Sequence, residues 1–141
     1  MALGNSVLTI HMDDLYNGWD DALTITLTNN LAKIVKQFKA DQKIELSPYN
    51  WKLGHYGQRQ TFPIPSLLIL EGVGSGQRVT RDFVNDSYWI EIDPDFGIDR
   101  VLVRDGLEIA ERMKLWKVRQ SLHFLAEATE SAANYLINGA P

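Results

Sequence analysis

Short apolar runs separated by polar turns predict strands at several points along the chain. Residues 7–11 form a β-branched run, and residues 66–70 form a nearly continuous apolar run that is typical of a strand buried on both faces of a parallel sheet. Residues 88–92 predict a further strand, and residues 134–137 predict a short closing strand before an Asn-Gly turn. We expect the first two strands to lie in the core.

Amphipathic stretches between these strands predict helices. The first begins after a cap at Asp20 or Asp21 and has one apolar face, formed by Leu23, Leu27, Leu31, Ile34, Val35 and Phe38. Residues 24–28 also alternate as a strand would, so the start of this helix stays open, although the longer pattern favours a helix. Pro94 opens a helix of about 20 residues. A helix after it has an apolar face formed by Leu115, Val118, Leu122 and Leu125.

The order of these elements predicts one α/β domain with a mostly parallel sheet flanked by helices. Residues 43–65 interrupt the order and are typical of an extended hairpin. In parallel sheets the chemistry lies at the carboxyl ends of the strands. Acids follow the predicted strands at those ends, namely Asp13, Asp14, Glu71 and Asp93. We therefore expect these carboxylates to converge on one crevice.

Composition limits the classes of function. The 141 residues include 14 basic and 18 acidic side chains, for a net charge of −4, and no cysteine. This charge disfavours nucleic acid as a partner, because phosphate binding needs clustered Lys and Arg. The lack of cysteine excludes disulfide scaffolds and thiolate chemistry. No apolar run reaches the roughly 18 residues of a membrane span. We expect a cytoplasmic protein that binds neither nucleic acid nor a membrane.

Asp13 and Glu71 are the main candidates for chemistry. A carboxylate at a strand end, such as Asp13, can accept a proton from a substrate hydroxyl, but an Asp here is just as typical of a turn cap. Glu71 stands where the acid that holds magnesium stands in nucleotide-binding strands. A charged residue where a strand meets solvent is nevertheless the more common explanation of Glu71.

The remaining motifs indicate chemistry less strongly. The glycine-rich residues 72–76 match neither phosphate-binding pattern, because the sequence has no Gly-Lys dipeptide and has Gln at position 77. A flexible turn is favoured there. Arg100 and Arg104 share a helix face that could clamp phosphates, although a solvated ion-pair face is favoured. The histidines have no metal-ligand spacing and are at His11, His55 and His123.

Several segments, in order along the chain, resemble the uridine kinase-like P-loop kinases, in particular their bacterial branch. Residues 7–20 resemble the family's strand and acidic motif, and residues 67–76 resemble its acidic strand end. Residues 100–106 resemble the start of its lid, and residues 134–139 resemble its closing strand. The resemblance implies a P-loop nucleoside kinase-like α/β fold, in which residues 95–130 form lid-like helices.

The resemblance implies roles on the acceptor side of the site. Asp13 matches the carboxylate that activates the nucleoside hydroxyl, and Tyr16 matches a neighbouring substrate contact. Tyr49 and His55 match nucleoside-binding positions in the hairpin. A nucleoside-like small molecule is therefore the implied substrate.

The resemblance also implies roles on the phosphate side. Arg104, and with it Arg100, matches lid positions that face phosphates, and Glu71 matches an acid near the magnesium ion. Mg²⁺ and ATP are the implied cofactors of a full-length relative. The resemblance leaves open whether Asn50 or Trp51 contacts the substrate.

The sequence departs from the family at its start. The family begins with a strand, a Gly-Lys-Ser/Thr phosphate loop and a helix, on the order of 30 residues, and we find no counterpart in this sequence. The resemblance therefore implies an N-terminally truncated kinase, impaired in transferring the γ-phosphoryl group of ATP to a hydroxyl. Two other functions stay open: a non-catalytic nucleoside- or nucleotide-binding module, and an interaction protein that reuses the fold.

We expect the chain to self-associate through unpaired strands of the sheet. In the family the missing strand lies at the centre of the sheet, and an unpaired apolar edge tends to pair with another chain. Size-exclusion chromatography with light scattering should then give a mass above that of one chain. A clean monomer would contradict this expectation.

Overall fold

The computed structural model describes residues 6–91 and 110–139. Contacts along the chain divide into two compact units, Met1–Phe83 and Val84–Pro141. The organisation as one domain, which the length predicts, stays a prediction. Within the described ranges no helix is both long and apolar enough to cross a membrane.

The first unit combines paired strands with helices. In chain order its elements are β1 (Val7–His11), a 3-10 turn (Met12–Asp14), α1 (Ile25–Lys39), β2 (Ile44–Leu46), β3 (Tyr49–Asn50), β4 (His55–Tyr56), β5 (Gln60–Phe62), β6 (Leu67–Glu71) and α2 (Arg78–Arg81). β1 and β6 are parallel, whereas β2 with β5 and β3 with β4 are antiparallel. Residues 43–65, for which an extended hairpin was predicted, contain two nested antiparallel pairs.

β1 and β6 are confirmed as strands, but neither is buried on both faces. Side chains alternate between the two faces of a strand. Ile10 is buried on the inner face, whereas Val7, Leu67 and Ile69 on the outer face are 57%, 52% and 40% exposed. The sequence could not show this alternation. Residues 67–70 are all apolar, so the exposed and the inner positions of this strand have the same kind of side chain.

The helix predicted near residue 20 is confirmed as α1, and the strand alternative for residues 24–28 is wrong. The helix begins at Ile25, because the side chain of Thr24 accepts a hydrogen bond from the amide of Thr26. Asp21 lies just before this cap and accepts hydrogen bonds from Thr24, Asn17 and Thr26, which lower the pKa of its carboxyl group.

The inner face of α1 contributes four buried side chains to the core of the first unit. Leu27, Leu31, Ile34 and Val35 are buried, as the helical spacing predicts. Burial of each such side chain contributes about 2 kcal/mol to folding. Lys33, Lys36 and Lys39 are exposed on the opposite side.

The glycine-rich residues 72–76 form a turn from β6 to the short helix α2, as favoured from the sequence. Gln77 follows the turn and is 1% exposed. Its amide nitrogen donates to the carbonyl of Gly74 at 2.9 Å, and its amide oxygen accepts from the Thr28 hydroxyl at 2.5 Å. Gln77 thereby fastens the turn to α1.

The second unit has one parallel strand pair and helices. Its described elements are β7 (Tyr88–Glu91), α3 (Ala110–Glu127), α4 (Thr129–Ala132) and β8 (Tyr135–Asn138). β7 pairs with β8 in parallel, from Tyr88 opposite Tyr135 to Glu91 opposite Asn138. Both strands were predicted. The helix predicted from Pro94, and the first part of the lid-like segment, lie outside the described residues.

The helix predicted with Leu115, Val118, Leu122 and Leu125 on one face is confirmed as α3, but this apolar face is exposed. Leu115, Val118, Leu122 and Leu125 are 52–79% exposed. The opposite face packs instead, with Phe124 edge-on to Trp89 of β7 at a centroid distance of 4.6 Å. The helical spacing showed that these residues share a face, but whether that face is buried depends on tertiary contacts such as this one.

The described ranges thus form a mixed α/β fold with small sheets. Within them, the parallel pairs β1–β6 and β7–β8 belong to separate two-stranded sheets. The single larger parallel sheet stays a prediction.

Gly74 is the glycine whose replacement should destabilise the first unit most clearly. Its φ is +101°, and an added Cβ would lie 2.6 Å from Cδ2 of the fully buried Leu27. Gly54 has a φ of +75° but only a contact at 4.0 Å. We expect Gly54→Ala to lower the free energy of unfolding by about 1 kcal/mol and Gly74→Ala by about 2–4 kcal/mol.

Chemical denaturation followed by tryptophan fluorescence measures both losses, and Gly54→Ala is the matched control for backbone strain. Equal losses in the two variants would show that the contact with Leu27 relaxes at no cost.

Candidate functional site

Asp13 lies at the carboxyl end of β1, on the 3-10 turn that ends the strand. Met12 is 1% exposed and anchors the turn in the core, while Asp13 is exposed. The amides of Leu15 and Tyr16 donate to the Met12 carbonyl at 2.8 and 3.1 Å. The turn therefore presents the Asp13 carboxylate at the edge where parallel strands place their chemistry.

The β3–β4 hairpin is bonded to this turn at two points. The indole N–H of Trp51 donates to the carbonyl of Asp13 at 3.0 Å. The hydroxyl of Tyr56 donates to the carbonyl of Leu15 at 2.8 Å. Both hydrogen bonds have side-chain donors, so they depend on which residues occupy positions 51 and 56.

Four rings gather where the hairpin meets the turn, and we call them the aromatic cluster: Trp19, Tyr49, Trp51 and Tyr56. Tyr49 contacts Trp51 and Tyr56 edge-on, at centroid distances of 4.9 and 5.3 Å. Trp19 contacts Trp51 edge-on at 5.8 Å. Gly18 makes room, since a Cβ there would lie 3.0 Å from the Tyr49 hydroxyl. Aromatic and polar groups of this kind suit a planar ring that carries polar substituents.

The resemblance left open whether Asn50 or Trp51 contacts the substrate. In the structure these two side chains make different contacts. The side-chain oxygen of Asn50 accepts from the amides of Lys52 and Leu53 at 3.0 and 2.9 Å. Asn50 thus closes the hairpin turn. Trp51 instead lies against Asp13 and belongs to the aromatic cluster.

The structure brings some of the predicted substrate residues to this region. Tyr49 lies in the aromatic cluster, and His55 is exposed on β4, with Nδ1 at 2.8 Å from the carbonyl of Tyr56. Tyr16 is 3% exposed and donates its hydroxyl to the carbonyl of Val73. Burial, together with the nearby charge of Asp13, raises the pKa of Tyr16. Tyr16 therefore ties the turn to the loop after β6, and its substrate contact stays a prediction.

Glu71 has a partner that sequence reasoning missed. His11 and Glu71 are opposite each other at the ends of β1 and β6, and His11 Nδ1 lies 2.6 Å from Glu71 Oε2. This hydrogen bond raises the pKa of His11, and the charges of Glu71, Asp14 and Asp13 act in the same direction. The sequence did not specify this pair, because the predicted strands 7–11 and 66–70, aligned end to end in parallel, would put His11 opposite Leu70, one position before Glu71.

Most of the residues predicted to face phosphates lie outside the part of the chain that the structure describes. Arg100, Arg104 and Asp93 lie outside the described residues. Within those residues no group of three or more His, Cys, Asp or Glu side chains could hold a metal ion. Magnesium at Glu71 would take its other ligands from water and phosphate oxygens, and that role stays a prediction.

Of the comparisons with known proteins, the one with solved structures bears on the fold. No protein-family model matches the sequence, and no curated protein matches it. Among solved structures, the chain is similar to a possible uridine kinase from Bacillus stearothermophilus, with a TM-score of 0.63 and 16% sequence identity over 94% of this chain and 72% of that chain. At this identity the likeness shows the fold alone. A mixed α/β fold similar to that of this possible uridine kinase is thus confirmed, whereas the P-loop kinase character and the bacterial branch stay predictions.

Glu71→Gln should lower the pKa of His11 toward its ordinary value, because the variant removes the charged acceptor of the Nδ1 hydrogen bond. A raised folded-state pKa stabilises the fold below the unfolded pKa, and this contribution is lost as the pH rises through the folded pKa. NMR titration of the His11 ring protons measures the shift.

Glu45→Gln is the matched control, since Glu45 lies 3.8 Å from Arg59 and not at His11. A His11 pKa that is the same in Glu71→Gln and in the unsubstituted protein would show that the pair does not form in solution.

Proposed function

We propose that this chain carries the acceptor-binding part of a uridine kinase-like phosphotransferase. The aromatic cluster binds the ring of a nucleoside-like molecule, and the Asp13 carboxylate accepts the proton of its hydroxyl. In the complete reaction that oxygen bonds to the γ-phosphorus of ATP, the bond from this phosphorus to ADP breaks, and the proton passes to Asp13.

One observation carries the proposal: the aromatic cluster is hydrogen-bonded directly to the turn that bears the exposed Asp13. A ring against the cluster would place its substituents near the carboxylate. The fold similarity to a possible uridine kinase over 94% of the chain supports the same substrate class.

The charge around the turn favours an uncharged acceptor. Asp13, Asp14 and Glu71 all act electrostatically on His11, so three carboxylates share this edge. A phosphorylated acceptor would be repelled by them, whereas a neutral nucleoside would not. We therefore propose a nucleoside rather than a nucleotide as the acceptor.

ATP and Mg²⁺ are the proposed cofactors of the complete reaction. The 141 residues contain no Gly-Lys-Ser/Thr loop, and such a loop holds the β- and γ-phosphates in P-loop enzymes. We therefore propose that this chain by itself binds the acceptor but transfers phosphate poorly. A non-catalytic nucleoside-binding module is the second candidate, favoured by the engagement of Glu71 with His11.

Thermal shift and calorimetry with uridine, cytidine and ATP-Mg²⁺ test the proposal. We expect a shift with a nucleoside and little or none with ATP. Tyr49→Ala should weaken nucleoside binding about tenfold, because base–aromatic stacking contributes on the order of 1–3 kcal/mol. Tyr135→Ala is the control, since Tyr135 stacks on Tyr88 in the second unit.

Asp13→Asn should keep nucleoside affinity within about threefold and abolish turnover in a full-length form that supplies the phosphate loop. Unchanged turnover would remove Asp13 as the base. No shift with any ligand would favour an interaction protein over both candidates.

A further inference from the structure

The backbone that carries Asp13 is held by side chains from the hairpin. Within the 3-10 turn, the carbonyl of Met12 accepts the local amide bonds. The next carbonyl, that of Asp13, accepts the indole N–H of Trp51 at 3.0 Å, and the carbonyl of Leu15 accepts the hydroxyl of Tyr56 at 2.8 Å. The hairpin therefore supplies donors to two carbonyls in the segment that presents the carboxylate.

Trp51 takes part both in the hydrogen bond to the turn and in the ring contacts of the aromatic cluster. Its N–H is bonded to the main chain of Asp13, and its ring contacts Trp19 at 5.8 Å and Tyr49 at 4.9 Å. The indole is 43% exposed, so one side of it is open to a ligand. A displacement of the ring would be transmitted through a single hydrogen bond to the residue that carries the base.

We propose that Trp51 is the positioning residue of this site, whose indole N–H fixes the main chain of Asp13 so that a ring bound at the aromatic cluster orients the carboxylate. This inference deepens the proposed function and rests on the role of Asp13 in it. Phenylalanine could supply the ring at position 51 but has no N–H, so the two contributions of Trp51 can be separated.

Trp51→Phe is the test variant, because it keeps an aromatic ring and removes the donor to Asp13. Trp19→Phe is the matched control, since it makes the same chemical change at the neighbouring ring. Tyr56→Phe removes the other donor, the one to Leu15, and serves as an independent second variant.

The first measurement needs no ligand. Hydrogen exchange at the amides of Leu15 and Tyr16, which close the turn onto Met12, reports the order of this segment. We expect exchange about fivefold faster in Trp51→Phe and in Tyr56→Phe, the effect of losing one hydrogen bond, and unchanged exchange in Trp19→Phe. Unchanged exchange in Trp51→Phe would overturn the proposal, whatever the result in Tyr56→Phe.

The second measurement separates positioning from a merely structural role. Uridine should shift the NMR resonances of the Trp51 indole N–H and the Asp13 carboxyl carbon together. In Trp51→Phe, uridine should lose less affinity than the roughly tenfold expected of Tyr49→Ala, because a ring remains at position 51, while the response of the Asp13 carboxyl is lost. An Asp13 response that persists in Trp51→Phe would overturn the coupling.

Failure of the proposed function gives a different result. If uridine and cytidine do not bind but the turn loosens in Trp51→Phe, the nucleoside function fails and the positioning of Asp13 by Trp51 stands. If a nucleoside binds and the turn does not respond to Trp51→Phe, the function stands and the inference fails.

Discussion

Parallel pairing of β1 with β6 joins Val7 to Leu67 and continues in register to His11 opposite Glu71. The site follows from this register. The turn bearing Asp13 starts where β1 ends, the glycine-rich turn starts where β6 ends, and Tyr16 ties one to the other through the carbonyl of Val73. If the register of β1 against β6 shifted by one residue, Ile10 would turn out of the core and His11 would no longer lie opposite Glu71. The same register therefore determines both the buried inner face and the acidic edge.

The hairpin adds the apolar part of the site to this polar edge. It is short, with Asn50 closing its turn through the amides of Lys52 and Leu53, and it is held against the turn mainly by side-chain donors. Its aromatic side chains satisfy two backbone carbonyls of the turn. In the function that we propose, the same rings also bind the planar ring of the acceptor.

Sequence patterns predicted the strands, α1 and the position of Asp13, because each depends on local periodicity or on the end of a strand. They did not predict contacts chosen by tertiary packing. The pairing of His11 with Glu71 was missed because the two residues are 60 positions apart. The helical spacing of Leu115, Val118, Leu122 and Leu125 did not show that their face of α3 is exposed while Phe124 packs on Trp89. The start of α1 was misplaced because Thr24, rather than Asp21, provides the cap.

The bonds from Trp51 and Tyr56 to one short stretch of main chain have a consequence for how the site can change. Two donors that hold the same segment are not energetically independent, so their substitutions should not be additive. Under the proposed function, a hairpin substituted to bind a different ring would also change the position of the Asp13 carboxylate. Adaptation to a new acceptor would then require compensating changes in the turn, so single substitutions in the hairpin would change the accepted substrates less than their exposure suggests.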